Sequence, residues 1–295
     1  MIALLFSILA SSFIFVLFKL FPKFKIDTFQ AIVFNYITAF CCGIFLFGHD
    51  WRWEALEKGH WVTYAFGAAL LFISLFLLMG LSSQKNGVGQ TSIAVKMSMG
   101  LSILLIIFFI NRANQTVTIG MISGFLLACL GVFLSSYESQ KLDKINHSKW
   151  MLFVLFIGSS MLDVILNAVE QYEKQNISVA LFSAFGLGLA GAFGIIVLLI
   201  QLIANKTKFQ FRNVIAGIFL GIPNYFSIYL LMLSYSSSGL DGSTVLTITN
   251  VSVVLLTSLI GFMAFNEHLT RQKIIGLLAA IAAILVIYFT NVSAR

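Results

Sequence analysis

Charge is what this chain has least of. Asp, Glu, Lys and Arg make up 10% of its 295 residues, where a soluble domain carries about 25%. With 59% hydrophobic residues, a water-soluble fold of this length would have too little polar surface to cover its core. Proline is almost missing: Pro22 and Pro223 are the two in the chain. The three cysteines, Cys41, Cys42 and Cys129, all fall in apolar runs. They lack the spacing of a disulfide framework or a metal site and read as small hydrophobes. HExxH, GxSxG and Walker A motifs are absent, which sets aside zinc hydrolases, serine hydrolases and nucleotide-driven pumps. His49, His60, His147 and His268 lie in connections or at helix ends, away from any buried serine. No catalytic residue, metal or cofactor is expected, and no enzyme.

What is present is apolar sequence in long runs. A membrane-spanning helix needs roughly 20 mostly apolar residues. That ruler gives ten segments, near 2–21, 28–48, 61–81, 88–110, 116–136, 149–170, 177–204, 212–235, 243–265 and 272–290. The expected fold is an all-α polytopic membrane protein of ten transmembrane helices, with the lipid bilayer as its main surroundings. Met1 leads straight into apolar sequence without a basic stretch or a small-residue cleavage site, so a cleavable leader is not expected. Trp51, Trp53, Trp61 and Trp150 fall at or near segment ends, as an aromatic belt requires. The net charge of +7 does not point to nucleic acid, because its Lys and Arg sit in short connections between apolar runs. Abundant Phe, Ile, Lys and Asn suit an AT-rich bacterial genome, and with it the bacterial cytoplasmic membrane.

The second half echoes the first. Ser11-Ser12, Phe34 and Gly43 match Ser159-Ser160, Phe182 and Gly191 at a constant offset, and Leu81-Ser82 and Gly87 match Leu233-Ser234 and Gly239 at a slightly larger one. Five helices per half is an odd number, so the second copy enters the membrane from the opposite side. The expected organisation is a first repeat over 1–137, a connection over 138–148 and a second, inverted repeat over 149–295. Inverted repeats are a common architecture of secondary transporters, with a substrate site at the repeat interface near the midplane. The connections on the side of the two termini carry Arg52, Lys58, Arg112, Lys174 and Arg295, and those on the other side carry twelve Lys and Arg. By the positive-inside rule the termini lie outside the cytoplasm.

The stretch FNEHLTRQKIIGLLAAIAAILVIYF (265–289), with Glu267, Leu269-Thr270, Gln272 and Gly276 followed by a small-residue helix, resembles the end of an EamA-type transporter of the drug/metabolite transporter superfamily. A weaker copy, NRANQTVTIGMISGFLLACLGVFL (111–134), has Gly120 and Gly131 but no acid at the loop. The resemblance covers essentially the whole chain. It implies a carrier of small polar or amphipathic metabolites, of the export type, working by alternating access. It also implies that helices 1, 3, 4, 6, 8 and 9 line a central cavity, and that the termini are cytoplasmic, opposite to the charge count. The chain departs from the family in having no proline in its fourth or ninth helix and Asn266 where glycine usually precedes the loop glutamate. Substrate identity is left open.

Ionisable groups deep in a bilayer cost roughly 2.5–3.5 kcal/mol on insertion scales and are functional candidates by default. Lys96 in the fourth helix and Asp163 in the sixth are two such groups. At about 1.5 Å per residue their depths differ by roughly 7–8 Å, within reach of a lysine side chain. They are expected to face the cavity and interact, directly or through water or substrate. A proton or an anionic substrate group would break that pairing and couple it to alternating access; the alternative is a permanent ion pair that only fixes helix packing. A polar stripe, Ser243, Thr247, Asn250, Thr257 and Gly261, runs along one face of the ninth helix. It reads either as a cavity wall, with Asn250 and Thr247 as binding candidates, or as interhelical hydrogen bonding. In the eighth helix Pro223 is a hinge candidate, and Tyr225 and Tyr229, one turn apart, are candidates to contact substrate. Asn167 is a further binding candidate, with Asn35, Tyr36 and Glu170 behind it. Gly120, Gly124 and Ala128 in the fifth helix, and Gly276 and Ala280 in the tenth, recur at four-residue spacing, which lets those two helices pack closely as a scaffold. Channel and membrane-sensor readings lack a filter sequence or an output domain. The expected partner is a small-molecule metabolite, and no oligomer is required.

Overall fold

A computed structural model of the chain describes residues 2–48, 60–109, 119–136, 149–173, 175–237, 242–267 and 270–293. These form ten α-helices: α1 (Ile2–Leu20), α2 (Thr28–Phe47), α3 (Trp61–Lys85), α4 (Val88–Phe109), α5 (Ile119–Ser136), α6 (Lys149–Tyr172), α7 (Val179–Ile203), α8 (Phe211–Ser237), α9 (Gly242–Phe265) and α10 (Arg271–Ser293). Nine are long and apolar enough to cross a membrane. In α5 the apolar stretch is the shorter Ile119–Leu134. Helices satisfy their own backbone groups, which lipid cannot do, and their outward faces present large apolar side chains such as Phe45, Phe133, Ile203 and Phe289. The chain is an all-α multi-pass membrane protein.

Local chemistry sets the helix ends. Asp27 accepts a hydrogen bond from the Gln30 amide and caps α2, and Ser178 does the same for α7 through the Leu181 amide, the usual use of these residue types. Helices α1, α7 and α9 are each followed by a left-handed residue, Lys25 (φ 53°), Asn205 (φ 52°) and Asn266 (φ 51°). After the first two, the next residue's amide reaches back five positions, Ile26 to the Phe21 carbonyl and Lys206 to the Gln201 carbonyl. Both are Schellman closures. Helix α3 runs four residues past the expected end at 81. Its extra turn holds Ser82 and Ser83, which are polar yet fully buried. A hydropathy ruler stops at serines, whereas the helix continues because protein surrounds it. Trp61 also departs from expectation: it is 2% exposed and packs on Phe185 at a ring-centroid distance of 5.8 Å, so it belongs to the core. Trp150 is exposed; Trp51 and Trp53 lie outside the described residues.

The helix pairings follow a simple exchange. Where α1 packs on α8, α6 packs on α3; where α2 packs on α8, α7 packs on α3; where α4 packs on α6, α9 packs on α1. The pairs α2·α7, α4·α9 and α5·α10 map onto themselves, and α5·α10 is the most extensive contact in the molecule. A Cβ added at Gly131 would lie 3.0 Å from the Ala280 amide nitrogen, and one at Gly124 2.5 Å from Ile287. Gly120 meets Thr290. Small residues therefore bring these two helices together, as their spacing suggests.

The exchange is incomplete in several places; α2·α3 and α4·α10, for example, lack comparable counterparts in α7·α8 and α5·α9 among the described residues. Helix α1 also packs on α3 and α4, whereas α6 has no comparable contact with α8 or α9 among the described residues. The extra contacts sit at the C-terminal end of α1. There the Phe18 ring and the Thr28 methyl crowd Gly80, each 2.9 Å from where a Cβ would be, and Phe18 meets Phe76 edge-on at 5.1 Å.

Candidate functional site

Helix α4 stands between α6 and α9 and meets each with a different set of polar groups. Toward α6 it presents Ser98 and Ser102. Ser102 Oγ donates to Asp163 Oδ2 at 2.6 Å, and Ser160 Oγ reaches the Ser98 carbonyl at 3.0 Å. Toward α9 it presents Ser92, which shares a 2.6 Å hydrogen bond with Thr257, and Met99, whose sulfur accepts from Asn250 Nδ2 at 3.2 Å. Gly89 completes this face, lying against Ser258. Lys96 is one turn from both Ser92 and Met99, so it leaves α4 on the α9 side.

Lys96 and Asp163 therefore approach from different flanks of α4. Both are half-buried and close enough to feel each other's charge. They form no ion pair within 4.0 Å, and the carboxylate takes its hydrogen bond from Ser102 instead. Each charge keeps capacity for a further partner. Asn167 lies one turn beyond Asp163 on α6 and is also half-buried.

The other sequence candidates lie elsewhere. Asn250 and Thr257 are buried in the α4·α9 seam, where the stripe acts as hydrogen-bonding contact between helices. The side chains of Ser243, Thr247 and Glu170 lie outside the described residues. Tyr225 is 2% exposed; its ring stands 2.9 Å from where a Gly43 Cβ would be, which places it in the α2·α7·α8 core. Tyr229 is half-buried against Phe47. Tyr36 is fully buried and donates to the Phe72 carbonyl at 2.5 Å. Pro223 lies inside α8, and the helix runs through it. Around it α8 lies tight on α2: a Cβ at Gly221 would fall 2.6 Å from the Asn35 carbonyl, and Asn224 Nδ2 donates to Asn35 Oδ1 at 3.2 Å.

Two acidic residues outside the candidate set hold helix starts. Glu267, in the α9–α10 connection, accepts the Val88 amide at 2.9 Å and so caps α4. It packs on Gly87, whose φ of +104° suits glycine alone, and on Gly261. Lys19 at the end of α1 pairs with it at 3.3 Å and also donates to the Gln84 carbonyl of α3 at 3.3 Å. One ion pair thus ties α1, α3, α4 and the α9–α10 connection together at one membrane face. At the opposite face Glu173 is 5% exposed, accepts the His60 amide at 2.9 Å and receives Asn176 Nδ2 at 2.7 Å. Glu267 stood out in the sequence only as part of a motif. Its partner sits 248 positions away, and no spacing signals such a pair.

No family model matches the chain. It is similar to an uncharacterized protein of Haemophilus influenzae, 26% identical over 296 residues, covering 98% of each chain. Among solved structures it is similar to one crystal structure with a TM-score of 0.59 and 12% identity, covering 96% of each chain. That likeness concerns the fold over nearly its whole length.

Proposed function

We propose that the chain is a secondary transporter of a small polar or amphipathic metabolite, of the EamA type, working by alternating access between two inverted five-helix halves. The observation that carries this reading is the pair Lys96 and Asp163. Two opposite charges sit in apolar helices, half-buried and within electrostatic reach, yet are not closed on each other. An ion pair that served packing alone would be closed, because an open one leaves each desolvation cost uncompensated. An open pair suits an intermittent occupant, such as a polar group of the substrate or a proton on Asp163. The exchange pattern of helix pairings supports two related halves, and α5·α10 would be their fixed scaffold.

One departure from the exchange supports a state. Helix α1 is drawn onto α3 and α4 at the Lys19–Glu267 face, without comparable contacts of α6 on α8 or α9 among the described residues. In this reading the Lys19–Glu267 face is closed and the cavity opens toward the face that carries the termini. Asp163 and Asn167 then lie along the open crevice. A bacterial cytoplasmic membrane is the proposed location.

Uptake and efflux in proteoliposomes, over a metabolite panel with and without a pH gradient, test the proposal. Gradient-dependent flux of one compound class, lost in Lys96→Met, is the expected result. Flux indifferent to any gradient, with the kinetics of an open pore, would favour a channel instead.

A further inference from the structure

The connection α1–α2 and the connection α7–α8 lie far apart in sequence and are pinned into one unit. Gln30, 1% exposed, and Asn213, fully buried, form the pin. Asn213 Nδ2 donates to Gln30 Oε1 at 2.9 Å, and Asn213 Oδ1 accepts the Asp27 amide at 3.0 Å. Gln30 Nε2 in turn donates to Thr207 Oγ1 at 2.9 Å and to the Lys208 carbonyl at 3.0 Å. The Phe34 and Phe209 rings meet edge-on across the joint at 6.1 Å. Each connection also begins with a Schellman closure, at Lys25 and Asn205. The result is a stiff platform at the end of four helices.

What the platform displays is cationic and aromatic. Lys23, Lys25, Lys206, Lys208 and Arg212 are all exposed, and between them Phe24, Phe209 and Phe211 are exposed by 52–70%. The one acid in these two connections, Asp27, is engaged in capping α2. Helix dipoles account for part of the charge, since Lys23 and Lys206 follow helix C-termini. They do not account for Arg212, which sits in the first turn of α8 where the dipole disfavours a cation. Being at helix ends, the platform lies at headgroup depth, where phenylalanine rings reach the acyl boundary while Lys and Arg remain among phosphates.

We propose that this platform is a binding site for an anionic phospholipid, with the headgroup phosphodiester held by the five cations and the upper acyl chains against Phe24, Phe209 and Phe211. The site stands apart from Lys96 and Asp163 and does not depend on the transport reading. It differs from a general positive-inside bias in that a built, buried amide pin joins the two connections that carry the cations.

Native mass spectrometry of the full chain in detergent, titrated with phosphatidylglycerol and phosphatidylcholine of matched chains, tests it. Wild type is expected to prefer phosphatidylglycerol. Each cation removed should weaken that binding about fivefold, so Lys206→Gln/Lys208→Gln/Arg212→Gln together should lose about 100-fold. The charge-preserving Lys206→Arg/Lys208→Arg should keep it, and Gln30→Leu should weaken it with no charge removed. Lys85→Gln, an exposed cation of the same face outside the platform, is expected to change nothing. No preference in wild type, or an equal loss in Lys85→Gln, would overturn the site. Displacement by soluble glycerol phosphate at the lipid's own concentration would show a site for small anions and overturn the lipid assignment.

Discussion

Lys19 and Glu267 meet at 3.3 Å, joining the end of the first helix to the last connection of the chain. Glu267 does two jobs with one carboxylate, since it also accepts the Val88 amide at the start of α4. The two jobs separate by mutation.

Glu267→Gln keeps a carbonyl for the Val88 amide and removes the ion pair. With both side chains only about one-fifth exposed, losing the partner leaves Lys19 largely desolvated and unpaired, so the thermal midpoint should fall. Closure of that face should weaken as well. In a cysteine-free background, Ser258→Cys probes the α4·α9 seam near Gly89. An impermeant maleimide applied from the Lys19 face should label it faster when Glu267→Gln is added. An unchanged rate would make the pair purely structural.

Glu267→Ala removes the cap as well and should cost about 1 kcal/mol more than Glu267→Gln. Gly87→Ala should cost more than either. It places a Cβ on a backbone with φ of +104° and 2.6 Å from the Glu267 carboxylate. Thermal unfolding in a fixed detergent ranks the three.

At the α4·α6 seam, Asp163→Asn keeps an acceptor for Ser102 but removes the charge, and Lys96→Met removes its counterpart. Each should abolish gradient-dependent flux at normal expression. The double variant decides between roles. If the charges only neutralise each other, Lys96→Met/Asp163→Asn should restore flux; if each has its own partner in the cycle, flux should stay lost.

Two glycines give a contrast in packing. At Gly131 a Cβ would press on the Ala280 backbone at 3.0–3.1 Å, and backbone cannot yield, so Gly131→Val should destabilise by about 1–3 kcal/mol. At Gly186 the neighbour is the Phe72 ring at 3.3 Å, which can tilt, and Gly186→Ala should be nearly neutral. Equal effects in a melting assay would refute the scaffold role of α5·α10.

Composition and segment length were enough for the helix count and for nearly every helix boundary, because lipid demands about the same run of apolar residues from each span. The errors are physical ones. Helix α3 outran its apolar window because Ser82 and Ser83 are shielded by protein. Trp61 was read as a belt residue because tryptophan at a helix end usually faces the interface, and here it faces Phe185. The Lys96 and Asp163 charges were legible as anomalies of an apolar helix. Their failure to close on each other was not, because it depends on which flank of α4 each one approaches.

The sequence by itself determined a multi-pass helical membrane protein with two intramembrane charges, since hydropathy and charge are local properties that a bilayer reads segment by segment. Which polar residues face a neighbour, as Asn250 faces Met99, which acid caps which helix, as Glu267 caps α4, and which loops join into one platform were decided only by the tertiary structure. Those outcomes depend on pairings across as many as 248 positions, and no local pattern in an apolar chain encodes the partner.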